Sequence, residues 1–214
     1  MAILPRDASL MMRDFCALAP IMPVLVVDDA SSARPLAEVL IGAGLPALEV
    51  TLRTPAALDA TKEMATVPGG QVGVGTLITP DDVRAAKRAG AAFGVSPGAT
   101  EEVLAACEEE GLPLLPGAAT ASEAMSLLAR GYDMLKFFPA EPSGGTRALK
   151  AFGGPLPQIS FCPTGGISTG NAGEYLGLDN VLCVGGSWIA PRDLVARGGW
   201  DEIEKRAKAA AGLG

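Results

Sequence analysis

The chain has 214 residues, of which 49% are hydrophobic, 19% charged and only 5% aromatic, so its core is built mainly from small and aliphatic side chains. No apolar run reaches the ~18 residues of a membrane span, and a net charge of −7 argues against a nucleic-acid or anionic-membrane partner. There is no histidine, which excludes Ser-His-Asp and Cys-His triads and removes the commonest metal ligand.

The opening segment MAILPRDASLMMRD is interrupted by Pro5, Arg6 and Asp7. It lacks the apolar core of a signal peptide, so a cytoplasmic protein is expected. Arg6 to Leu18 reads as a helix lying across one end of the fold. The first strand pattern, IMPVLVV from Ile21, is apolar throughout, as in parallel strands covered on both faces. Asp28 and Asp29 follow it and read as an N-cap and a first-turn acid. ALEVTL starts at Ala47, and Glu49, Thr51 and Arg53 share parity, so a regular strand turns all three to one face. Pro55 opens a helix, PAALDATKEM. QVGVGTL from Gln71 ends near Thr76 and leads into TPDDVRAAKRAG, with Thr79 as N-cap and Gly90 as stop.

AAFGVSP from Ala91 carries Ser96 and Pro97 at its end, before a helix from Thr100 to Gly111. LPLLPG from Leu112 precedes TASEAMSLLARG, in which Thr120 and Glu123 fit a capping box. MLKFFP from Met134 sets Lys136 between Leu135 and Phe137. QISFCPTG from Gln158 ends on Thr164, Gly165 and Gly166; a weak helix pattern covers Asn171 to Leu178; VLCVGGS from Val181 ends on Gly185, Gly186 and Ser187. The starts are 26, 24, 20, 21, 22, 24 and 23 residues apart. Eight strand–helix units of such regular length predict one α/β domain over 1–214, a (β/α)8 TIM barrel with residues 1–20 as an extra N-terminal helix. An open doubly wound sheet is the alternative, but it wants a Gly-rich turn where this chain has VVDDASSA.

A barrel places its chemistry at the carboxyl ends of its strands, and the polar strand ends above gather there. Lys136 reads either as a rim lysine reaching for solvent or as a nucleophile. Its apolar flanks favour the second, because burial near a cation such as Arg53 disfavours the charged amine and leaves it able to attack a carbonyl. Glu49 reads as a structural ion-pair partner or as the general acid–base. Arg53 reads as its neutraliser or as a fork for a substrate carboxylate. The two glycine pairs, in PTGGIS and VGGSW, end the seventh and eighth strands, where barrels often bind phosphate through backbone N–H groups. Cys16, Cys107, Cys162 and Cys183 form no CxxC pair and are expected as buried free thiols rather than a disulfide set or a metal site.

LEVTLRT, VGVGT, GVSPG, LKFFPAE, CPTGGIS and VGGSW occur in the order found in the 2-keto-3-deoxy-6-phosphogluconate (KDPG) and 4-hydroxy-2-oxoglutarate (KHG) aldolases, which the chain resembles from Ile21 through Trp188. The resemblance implies that Lys136 forms a Schiff base and that Glu49 is the acid–base. It implies that Arg53 and Thr76 hold the substrate carboxylate, with Pro97 and Phe138 lining the pyruvate pocket. Gly165, Gly166, Gly186 and Ser187 are then the phosphate site. It further implies a class I aldolase without metal or cofactor, a homotrimer, acting on a small phosphorylated keto acid. Such an enzyme cleaves KDPG to pyruvate and glyceraldehyde 3-phosphate, with KHG as a second substrate. A phosphosugar isomerase and a non-catalytic phosphometabolite-binding barrel are the competing readings.

Overall fold

A computed structural model describes residues 2–213, so the terminal residues of the expected 1–214 domain lie outside it. Helix α1 (Pro5–Cys16) begins on a proline, whose fixed φ suits the first helical turn. It buries Ala8, Ser9, Met12 and Cys16, one face at helical spacing. Arg13 latches it to the sheet layer: its guanidinium donates to the Asp133 carboxylate (3.1 Å), the Ser160 hydroxyl (2.8 Å) and the Asp133 carbonyl (2.9 Å). Asp133 immediately precedes one strand and Ser160 begins another, so α1 lies against the amino ends.

The strands are β1 (Ile21–Leu25), β2 (Ala47–Thr51), β3 (Gln71–Gly75), β4 (Phe93–Val95), β5 (Leu114–Leu115), β6 (Gly117–Ala118), β7 (Met134–Phe137), β8 (Ser160–Pro163) and β9 (Val184–Gly186). All named pairings are parallel, and they form two curled sheets, β5-β4-β3-β2-β1-β9 and β6-β7-β8. This differs from eight strands in one closed barrel, and the cause is local. The fifth run is divided at Pro116, which has no N–H to give to a ladder. Its first half pairs with β4 and its second half with β7. On the opposite side, single bridges at Phe161–Val181 and Thr164–Gly185 link β8 to the β9 segment.

The intervening helices are α2 (Ala33–Gly42), α3 (Ala57–Ala65), α4 (Pro80–Arg88), α5 (Glu101–Glu110), α6 (Ala121–Arg130), α7 (Gly145–Gly153), α8 (Ala172–Leu176), α9 (Arg192–Ala196) and α10 (Trp200–Ala211). Capping boxes form at Thr79/Asp82 and Thr120/Glu123. Two starts differ from the sequence pattern. Asp29 caps a 3-10 turn over 30–32 rather than a helix, while Asp28 pairs with Arg192. Helix α3 starts at Ala57, because Pro55 lies in a turn that the Thr54 hydroxyl ties to the Val27 carbonyl. Among the described residues, no helix is long and apolar enough to cross a membrane.

Alternation along the strands separates two cores. Leu135, Phe137 and Phe161 join the outer core under the helices, whereas Met22, Ala47, Phe93, Val95, Met134, Cys162 and Cys183 form a smaller inner core with Met12 and Cys16 of α1. The inner core lies between the curled sheets and α1. Two residues further along β2 and β7, the same inward parity brings Glu49 and Lys136.

Candidate active site

Lys136 is 5% exposed and Glu49 is 2% exposed. The lysine Nζ donates to Glu49 Oε1 at 3.1 Å and to Oε2 at 3.3 Å, and lies 5.5 Å from the centroid of the Phe138 ring. The charge against the amine is therefore this carboxylate rather than Arg53. Phe137 turns outward and packs edge-on against Phe152 and Phe161, with centroids 6.0 and 6.2 Å away. A buried ion pair is expensive to desolvate and is weak evidence for stability. Its position above an apolar inner core points to chemistry.

Glycine makes room for this pair. A Cβ on Gly75 would lie 2.1 Å from Glu49 Oε1 and 2.7 Å from its Cδ, so the carboxylate occupies the space of the missing side chain. Gly75→Ala is expected to push the carboxylate aside and lower kcat by about 10²-fold, the scale of a 1 Å misplacement. Steady-state kinetics on a variant with unchanged circular dichroism checks this; wild-type turnover would show that the carboxylate tolerates displacement. The next residue, Thr76, is half-buried and has φ of 66°, the one positive φ at a non-glycine among the described residues. A β-branched residue in that region is strained by about 1–3 kcal/mol. Strain of this kind marks a position that its surroundings over-determine.

A cavity of about 100 Å³ opens beside Arg53, Phe138, Thr164, Gly165, Gly166 and Ser187. Arg53 is exposed there because β2 ends at Thr51 and the chain folds back, with Arg53 N–H donating to the Thr51 carbonyl at 2.8 Å. Strand parity thus stops short of the third expected residue. Gly165 and Gly166 have φ of 104° and 81°, which favours glycine at both. Gly185, rather than Gly186, lines the cavity. The space beside Gly186 is taken by the Trp188 ring, whose Cζ3 lies 2.3 Å from where a Cβ would stand. Pro97 is half-buried, and its carbonyl lies 2.3 Å from the Cβ position of Gly117, the register partner of Lys136.

Thr164 received no role from sequence, although it ends the run before the first glycine pair. Its Oγ1 is, among the described residues, the one buried side-chain polar atom without a hydrogen-bond partner. A buried hydroxyl left unpaired is costly and suits a ligand-facing position. A larger cavity of about 380 Å³ lies between α5 and α6, but its lining includes Arg130, already bound by Glu101 and Glu108.

The chain matches the family described as KDPG and KHG aldolase over residues 12–206. It is 50% identical over 199 residues to a 2-dehydro-3-deoxy-phosphogluconate aldolase of Pseudoalteromonas atlantica, covering 92% of this chain and 93% of the relative. It is 47% identical over 192 residues to the KHG/KDPG aldolase of Escherichia coli, covering 89% and 90%. The fold is similar to a crystal structure of KDPG aldolase from Legionella pneumophila with pyruvate captured at low pH as a covalent carbinolamine intermediate. The TM-score is 0.91 at 45% identity, over 94% of this chain and 98% of that one.

Proposed function

The chain belongs to the KDPG and KHG aldolase family, and from that premise we propose that Lys136 forms the Schiff base and Glu49 moves the protons. The protein is a class I, metal-independent carbon–carbon lyase that cleaves KDPG to pyruvate and glyceraldehyde 3-phosphate. The observation that carries the residue roles is the buried Lys136–Glu49 contact of 3.1 Å, with Lys136 Nζ 5.5 Å from the ring of Phe138, which lines the cavity shared by Arg53 and the glycine turns.

In this reading, proton transfer within the pair leaves a neutral amine and a protonated Glu49. The amine adds to the keto carbon, Glu49 gives its proton to the carbinolamine hydroxyl, and water leaves to give a protonated imine beside a Glu49 carboxylate. Glu49 then takes the proton of the hydroxyl on the far carbon of the breaking bond. The bond's electron pair moves into the imine, which becomes an enamine, and glyceraldehyde 3-phosphate departs. Reprotonation of the enamine and addition of water release pyruvate and restore Lys136. Arg53 and Thr76 hold the carboxylate, which fixes the keto carbon over the amine. Pro97 and Phe138 flank the pyruvate portion, and Thr164 adds a hydroxyl facing the substrate. Gly165, Gly166, Gly185 and Ser187 receive the phosphate through backbone N–H groups and one hydroxyl, which lets an acidic protein hold an anion without a basic patch.

We also infer that the two sheets act as one closed (β/α)8 barrel, supported by the single division at Pro116 and the two bridges beside β8. A cytoplasmic homotrimer completes the reading; exposed Leu4, Leu10, Ile78 and Met125 are apolar surface that subunit contacts would cover. The test is pyruvate release, coupled to lactate dehydrogenase, from KDPG, its galactonate epimer and KHG. The highest kcat/KM is expected for KDPG, and Ser187→Ala should raise KM for KDPG while sparing KHG. No pyruvate from any of the three would overturn the reading.

A further inference from the structure

Three of the four cysteines, far apart in sequence, meet in the inner core. The Sγ atoms of Cys16, Cys162 and Cys183 all lie within 4.8 Å of one another, and each residue is buried. They come from the end of α1, from β8 and from the segment before β9. We infer that this triad is a binding site for a soft divalent cation of the Zn(II) or Cd(II) type, separate from the catalytic machinery.

The geometry suits three thiolates around one ion. Metal–sulfur bonds of about 2.3 Å hold three sulfurs about 4 Å apart in a trigonal arrangement, so closing on an ion asks for movement of less than about 1 Å. Thiolate donors select soft cations over magnesium or calcium. The triad belongs to an apolar inner core with Met12, Met22, Ala47, Phe93, Val95, Leu115 and Met134. Thioether sulfurs are also soft donors. The chain has no histidine, so no imidazole competes elsewhere.

Charge favours the divalent class. Three S–H protons leave as three metal–sulfur bonds form, and the loaded site carries one net negative charge. A monovalent ion would leave two, which a low-dielectric core disfavours. Cys162 is the register partner of Lys136, so a cationic side chain lies along the adjacent strand. A disulfide would use two of the sulfurs and strand the third.

Burial means that the ion enters as the chain folds, and loading couples to folding. It would tie α1, otherwise latched through Arg13, to β8 and β9. Cys107 supplies the control: it is buried on α5, outside the triad, and burial pushes its thiol up to about 12.

The experiment refolds untagged, fully reduced protein from urea under nitrogen with Cd(II), followed by removal of loose metal. One Cd(II) per chain, a sulfur-to-metal charge-transfer absorption and a raised melting temperature are expected. X-ray absorption at the cadmium edge should count three sulfur donors, a readout that needs no variant. Cys16→Ala should weaken binding by at least about 100-fold, and Cys107→Ala should leave it unchanged. No retained Cd(II), retained Cd(II) with oxygen donors only, or equal binding by Cys16→Ala would overturn the proposal and leave the triad as packing groups. Aldolase activity of the metal-free protein reports separately on the reading of the active site.

Discussion

Lys136→Ala is expected to lower kcat/KM for KDPG cleavage on the order of 10⁶-fold, the scale of removing a covalent nucleophile. Borohydride added with pyruvate should trap a stable adduct on Lys136 in the wild type and none in the variant. The loss has to be separated from a folding defect. Removing the lysine leaves Glu49, 2% exposed, as a buried carboxylate without its partner. Breaking such a pair costs about 3–5 kcal/mol, a large share of a domain's stability. Lys136→Met together with Glu49→Gln removes both charges, keeps most of the volume and should recover much of that stability without recovering activity. A folded double variant that still traps pyruvate would place the nucleophile elsewhere. Full activity in Lys136→Ala would sink the Schiff-base assignment altogether.

Pattern alone placed most of the elements. Runs starting at Ile21, Ala47, Gln71 and Met134 begin β1, β2, β3 and β7 at those residues, because apolar strands between helix caps are a local property. Threonine caps at 79 and 120 were legible for the same reason. What pattern missed is relational. Pro116 was visible, but its division of the fifth run depends on having different ladder partners on its two sides. Parity extended Glu49 and Thr51 to Arg53, yet the strand ends at Thr51, so Arg53 reaches the cavity from a bend. Gly75 lay within the QVGVGTL run; that it yields its side-chain space to Glu49 is a contact between neighbouring strands. Likewise Gly185 and Gly186 look interchangeable in VGGSW, and only packing tells them apart: one faces Thr164 and the other lies under Trp188. The three cysteines carry no spacing signal because α1 meets β8 and β9 only in the folded state.

Glu49→Gln is expected to lower kcat by about 10²–10⁴-fold, the range for losing a general acid–base, with little change in KM. The amide keeps the volume that Gly75 provides and an oxygen able to accept from Lys136 Nζ, so the variant removes proton transfer while preserving shape. That separates the two roles the carboxylate could have. If Glu49 only anchors Lys136, the neutral amide should mainly alter substrate affinity and the yield of trapped adduct. If it carries protons, the defect should appear wherever a proton moves at the enamine. Exchange of the pyruvate methyl protons in D2O isolates that half of the reaction, since it needs imine formation and enamine reprotonation but no carbon–carbon cleavage. In Glu49→Gln, exchange should slow in parallel with kcat. Wild-type exchange beside a depressed cleavage rate would confine Glu49 to the substrate hydroxyl and require another group at the enamine carbon. The buried contact of 3.1 Å makes one carboxylate the economical choice for both steps, because it already touches the nitrogen through which the electrons pass.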